Sequence, residues 1–237
     1  MLSDLPPTER FTYGLRSSSI LAALANAVLL MIAVGGITWE ALQRFWTPAP
    51  IAAGTVIIVA AIGIAINLGT ALMFMSGRKE DINIRGAYLH MAADAAVSLG
   101  VVVAGFIMLA TGWTWIDPLV SLVIAAIIVW STWSLLRDSV SMALHAVPTN
   151  IDTAAVRRLL ESLDGVVRIH DLHIWPMSTT ETALTCHLVM PTGHPGDAFL
   201  ARAAAELARQ FGIAHPTLQI ETGDSGSSCA LEPDHVV

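Results

Sequence analysis

The 237 residues include 54 % hydrophobic and only 13 % charged side chains, with a mean hydropathy of +0.65. A soluble globular domain is about a quarter charged, so this chain is not soluble throughout, and its formal net charge of −7 argues against nucleic acid as a partner. The two cysteines, Cys186 and Cys229, form no disulfide framework and fit a reducing compartment. The charge deficit is local. Residues 1–136 hold seven acids, five arginines and Lys79, whereas the remainder, from Arg137 on, holds twelve acids and six arginines. The chain therefore reads as an apolar half followed by an acidic, soluble half, with divisions expected at 1–145, 146–222 and a flexible tail, 223–237.

In chain order, residues 1–15 are polar with two prolines and read as a loop. Residues 20–39 form an uncharged apolar run, too long for the roughly 7–15-residue core of a signal peptide, and are expected to be a retained membrane span. Residues 40–50 carry Arg44 and two prolines and predict a loop. Residues 51–74 lack any charge and are long enough to cross a ~30 Å hydrocarbon core. A charged loop is expected at 76–85, a third span at 87–109, a turn with Gly112, Trp113 and Trp115 at 111–118, and a fourth span at 119–136. Arg10, Arg16, Arg78, Lys79, Arg85 and Arg137 fall on one side of this four-span drawing and only Arg44 on the other, which predicts that both termini are cytoplasmic.

Beyond Arg137 the pattern changes. The spacing predicts a helix over 151–163 with Asp152 near its start, strands over 166–176 and 180–190 joined by a turn at Ser178 and Thr179, an amphipathic helix over 196–211 ended by Gly212, and a strand over 217–222. The order αββαβ predicts a small two-layer α+β domain. The fold class expected for the whole is thus a membrane all-α bundle of four transmembrane helices followed by a small α+β domain.

Two groups of residues could carry chemistry. His90 and Asp94 lie four residues apart in the third span, so a helix stacks them on one face, one turn apart. They could lock one helix to another by hydrogen bonds. Ionisable residues inside a membrane mark ion pathways by default, however, and imidazole and carboxylate are good Zn²⁺ donors, so we read them as metal ligands. Seven of the eight histidines lie after Arg137. On adjacent strands His170, His187 and Glu221 could meet as a metal cluster, with scattered surface or core histidines as the other reading. In the strand reading His170 and His173 point to opposite faces. A membrane metallohydrolase is disfavoured: no HExxH motif stands in the chain, and no general base stands beside His90 and Asp94.

The His90/Asp94 spacing, Asp117-Pro118 at the start of the last span, and the stretch His170-Asp-Leu-His173-Ile-Trp175 together resemble the cation diffusion facilitators, in particular their bacterial cobalt–zinc–cadmium efflux branch. Tyr13-Gly14-Leu-Arg16 before the first span and Trp39-Glu40-Ala-Leu-Gln-Arg44-Phe after it also fit, so the resemblance runs from about residue 5 to 221. It implies a multi-pass protein of the inner or plasma membrane with a ferredoxin-like cytoplasmic domain. Such a protein works as a homodimer and exchanges a divalent cation, with Zn²⁺ expected, for protons; it is no enzyme and needs no cofactor. The four spans would match the family's third to sixth. His90 and Asp94 would be half of the transport site, and His170, His187 and Glu221 a regulatory metal cluster, with His215 a weaker match beside it. The family's first two spans, the second of which carries the other half of the transport site, do not stand in this sequence. The alternative expectation is therefore an N-terminally truncated, transport-incompetent membrane protein with a metal-binding, dimerising domain. The loop at 76–85 holds no histidine, and a pair of tail cysteines found in some relatives is reduced to Cys229.

Overall fold

A computed structural model describes residues 5–47, 53–75, 82–223, 229 and 231. Four long helices come first: α1 (Ser18–Trp46), α2 (Ala53–Phe74), α3 (Ile82–Thr111) and α4 (Ile116–Ala143). Each is long and apolar enough to cross a membrane. Large apolar side chains point outward along them, with Leu29 65 % and Trp130 86 % exposed. That surface suits lipid and would be untenable in water. Where helices do meet, small residues allow it. A Cβ on Gly105 of α3 would lie 2.5 Å from Ile57 Cγ1 of α2, and one on Gly63 of α2 would touch Ser98 Oγ. At the α3–α4 turn, Ala104 and Met108 bury against Ile116, with Val120 packed alongside.

Three ends of the long helices lie well beyond the sequence expectation. α1 continues through Trp46 where a loop was expected from residue 40, α3 begins at Ile82 rather than 87, and α4 runs past Arg137 to Ala143. Polar residues mark where an apolar span stops, but they do not stop a helix whose backbone bonds close internally. In α1 the extension is reinforced. Arg44 Nη2 donates to Glu40 Oε1 one turn earlier (2.6 Å), and its Nη1 donates to Asp117 Oδ2 in the first turn of α4 (2.6 Å).

The C-terminal part follows the expected αββαβ order: α5 (Thr153–Glu161), β1 (Arg168–Pro176), β2 (Thr182–Val189), α6 (Asp197–Phe211) and β3 (Ile213–Glu221). Asp152 caps α5 by accepting from Ala154 N (2.9 Å). Gly212 ends α6 with φ +68, the left-handed conformation that favours glycine. The sheet order is β1-β2-β3, with β1 antiparallel and β3 parallel to the central β2. β3 starts four residues earlier than expected. As an edge strand it tolerates Pro216, which pairs with Leu184 without donating to the ladder. The core between sheet and helices is built on Val156 and Leu160 of α5, Leu184 and Leu188 of β2, Leu207 of α6 and Ile213 of β3, all fully buried. Most of the expected flexible tail, residues 224–228, 230 and 232–237, lies outside the described residues.

The molecule divides into two compact units, Leu29–Trp133 and Met1–Val28 with Ser134–Val237. In the second unit the segment before α1 is held to the hairpin between β1 and β2. Arg16 pairs with Glu181, Ser17 Oγ donates to the Met177 carbonyl (3.2 Å), and Thr179 N donates to Ser19 Oγ (3.2 Å). Gly14 makes the preceding turn at φ +69, where a Cβ would lie 2.9 Å from the Leu5 carbonyl oxygen.

Candidate metal centre

Strand register builds the first site. His170 on β1 lies directly opposite His187 on β2. β3 runs parallel to β2 with Gln219 beside His187 and Glu221 beside Val189, which brings the Glu221 side chain back toward both histidines. Glu221 Oε2 is 2.9 Å from His170 Nε2, and Glu221 Oε1 is 3.0 Å from His187 Nδ1. Gln219 Nε2 donates to Oε1 at 3.0 Å. The two imidazoles meet edge to face, 4.9 Å between centroids. Cys229, from the tail, adds a fourth donor: its Sγ lies 3.8 Å from His187 Nδ1. One ligand atom from each of His170, His187, Glu221 and Cys229 falls within 4.8 Å of every other.

The chemistry of this set fits a metal ion. Two imidazole nitrogens, a carboxylate oxygen and a sulfur are the donors that borderline-soft Zn²⁺ accepts, and four is the number a tetrahedral site uses. His170 is 3 % exposed, and its Nδ1 is buried without a hydrogen-bond partner among the described residues. Buried polar atoms in native folds are nearly always satisfied; here it is Nε2, on the other side of the ring, that meets Glu221 and so faces the cluster. Burial acts to raise the Glu221 carboxyl, but the hydrogen bonds from His170 and Gln219 and the charges of both histidines outweigh it and hold it below the usual carboxylate range. The other thiol behaves differently. Cys186 is fully buried one residue from His187, and burial pushes it up to about 12, so it stays a protonated core residue.

The expected opposition of His170 and His173 does not apply, because a β-bulge interrupts the alternation. His170 pairs with His187 but His173 pairs with Thr185, so two residues of β1, Asp171 and Leu172, face the single Cys186. Asp171 there has φ +52, and its carboxylate reaches His173 Nε2 (2.8 Å) and lies 3.4 Å from His187 Nε2. His215 stands apart from the cluster: it pairs with Ala183 six residues before Glu221, and its ring meets Tyr13 edge-on at 5.5 Å.

The second site is the pair in α3. His90 Nε2 and Asp94 Oδ2 are 3.5 Å apart, one turn from each other, with side chains 70 % and 45 % exposed. Among the described residues no third histidine, cysteine or acid joins them. Sequence reading named His90, Asp94, His170, His187 and Glu221; the structure brings the last three together, leaves the first two as a pair, and sets two residues that reading did not place there, Cys229 and Asp171, against His187. The signal for Asp171 was its position between two histidines, and for Cys229 its place eight residues beyond Glu221.

Comparison with known proteins gives matches over both parts. Residues 1–143 match the profile of the cation efflux transmembrane domain, and residues 148–223 that of the cation efflux protein cytoplasmic domain. The cadmium, cobalt and zinc/H(+)-K(+) antiporter of Bacillus subtilis is 36 % identical over 226 residues, covering 93 % of this chain and 72 % of that protein. The zinc transporter ZitB of Escherichia coli is 34 % identical over 221 residues, covering 92 % and 70 %. Among solved structures, the metal-bound C-terminal domain of the CzcD transporter from Cupriavidus metallidurans is 35 % identical, covering 30 % of this chain and 99 % of its own, with a TM-score of 0.27.

Proposed function

The chain belongs to the cation efflux family, and on that premise we propose that it is a multi-pass membrane protein that exports a divalent cation of the zinc class in exchange for protons. Its relatives are named for zinc, cadmium and cobalt transport, and one of them as an antiporter. The observation that carries the reading is the His90–Asp94 pair, 3.5 Å apart on one face of a helix long and apolar enough to span a membrane. An acid and an imidazole there are costly and serve an ion pathway. Neutral imidazole and carboxylate hold the cation, and protons compete for the same lone pairs, because metal binding requires deprotonated ligands. A proton gradient then unloads the ion on the acidic side and returns the carrier empty. Because His90 and Asp94 supply only two ligands, the remaining donors come from another element or another copy of the chain.

In this reading residues 1–145 are the transport domain. Residues 146–222 are a cytoplasmic domain that binds metal at His170, His187 and Glu221, with Cys229 as the fourth donor, and that pairs two copies. Both termini lie in the cytoplasm, as the placement of the basic residues predicts.

The test is zinc uptake into proteoliposomes under an imposed pH gradient, with the 237-residue chain alone. Flux that is lost in Asp94→Ala supports the reading. Equal flux in wild type and Asp94→Ala overturns the role of the pair. Absence of flux in the wild type, with zinc still bound, overturns transport by this chain and leaves metal binding as its function.

A further inference from the structure

Asp171 occupies a conformation that few residues accept. Its φ of +52 lies in the left-handed region, which Gly, Asn and Asp visit far more readily than other residues. It sits in the β1 bulge, a device that re-aims side chains. Of the three tolerated residue types, only Asp brings a negative charge. That charge is sheltered, with the side chain 10 % exposed, and both oxygens are engaged: Oδ1 with His173 Nε2 at 2.8 Å, and Oδ2 facing His187 Nε2 at 3.4 Å.

His187 is thereby flanked by two carboxylates on its two nitrogens. Glu221 Oε1 (3.0 Å) and Cys229 Sγ (3.8 Å), both donors of the cluster, lie on the Nδ1 side, while Asp171 lies on the Nε2 side. A neutral imidazole has one lone pair and one N–H. Glu221 is the nearer of the two carboxylates, but when Nδ1 gives its lone pair to a metal the ring's proton stands on Nε2, and Asp171 is the acceptor that faces it there, the arrangement by which carboxylates orient metal-bound histidines. The same cluster contains a contrast, because His170 meets Glu221 through Nε2 and has no acceptor on Nδ1 among the described residues.

We infer that Asp171 is a positioning residue: from the bulge it holds the His187 proton on Nε2, so that Nδ1 is the nitrogen presented to the metal, and His173 in turn fixes Asp171. The inference rests on the metal cluster proposed above and adds to it an orienting group outside the ligand set. The carboxylate does not itself touch the ion.

The experiment uses the full chain in detergent micelles, labelled with ¹⁵N-histidine and titrated with ¹¹³Cd²⁺. In the wild type the metal should couple to Nδ1 of His187 while Nε2 stays protonated. Asp171→Asn and Asp171→Gly both accept the left-handed backbone, so each should fold. Each should give a mixed His187 tautomer and bind Cd²⁺ 10- to 100-fold more weakly, as expected for loss of an orienting partner. Coupling through Nε2 in the wild type overturns the inference without recourse to any variant. So does wild-type affinity in both variants with His187 still protonated on Nε2. No response of His187 to Cd²⁺ overturns the cluster itself and this inference with it, whereas a normal response together with unaffected variants overturns the role of Asp171 alone.

Discussion

The two groups of candidate ligands differ in how completely one chain builds them. In the C-terminal domain four donors from three strands and the tail converge within 4.8 Å, two of them on buried histidines. In α3 two donors stand on a single helix with 70 % and 45 % of their side chains exposed. The difference follows from the elements that carry them. A sheet brings distant residues together at ~5 Å strand spacing, so register alone assembles a site. A lone helix offers only its own i,i+4 neighbours and must find the remaining ligands on a facing helix. In the function proposed above, the first geometry suits an ion that stays, and the second an ion that passes.

The largest effect separates the two. Asp94→Ala should abolish zinc flux in proteoliposomes yet leave zinc affinity at the C-terminal cluster unchanged, read by competition with a chromophoric chelator. Loss of both would erase the distinction. The reverse variant, His187→Ala, should weaken zinc binding at the cluster by more than about 100-fold, since it removes a ligand rather than an orienting partner. It should leave the α3 pair intact.

The two thiols sharpen the comparison further. Cys229→Ser should lower cluster affinity by about tenfold or more, whereas Cys186→Ser should not change it, because the Cys186 thiol is protonated and buried. Equal effects of the two would remove Cys229 from the site.

Glu221→Gln tests the metal-free cluster. It removes a charge that His170 and His187 face, and should cost about 1–3 kcal/mol of stability at neutral pH. The folded carboxyl is held below its ordinary value, so its contribution is present above that value and lost as pH falls through the lowered one. The gap between wild type and Glu221→Gln in urea unfolding should therefore close in acid.

Cys186 comes last, with an effect that is absent at neutral pH and appears only in alkali. Its folded value lies near 12 against an ordinary 9, so the unfolded thiol ionises first. Its contribution is complete below pH 9 and is lost as pH rises toward 12. Cys186→Ala should flatten this alkaline decline in unfolding free energy, and an unchanged slope would show that another group causes it.

The order of elements was legible throughout because it depends on local pattern. Four apolar runs of membrane length and an αββαβ alternation of periods appear in the residues themselves, and both stand in the structure. Helix ends were less legible. Glu40 and Arg44 read as loop by polarity but continue α1, because the end of an apolar run need not be the end of a helix. Within the cluster, His170, His187 and Glu221 could be placed on neighbouring strands by counting. Period-2 counting cannot foresee the bulge at Asp171, because a bulge arises from pairing with another strand.

By itself the sequence determined four helices long and apolar enough to cross a membrane, the strand and helix order that follows them, and the one-turn spacing of His90 and Asp94, all consequences of short-range periodicity and hydropathy. Only the tertiary structure decided that Cys229 joins the cluster while Cys186 stays in the core, that His215 stands apart, and that Asp171 turns back against His187. Those outcomes depend on strand register and on where the tail returns, and long-range contacts of that kind leave no period in the chain.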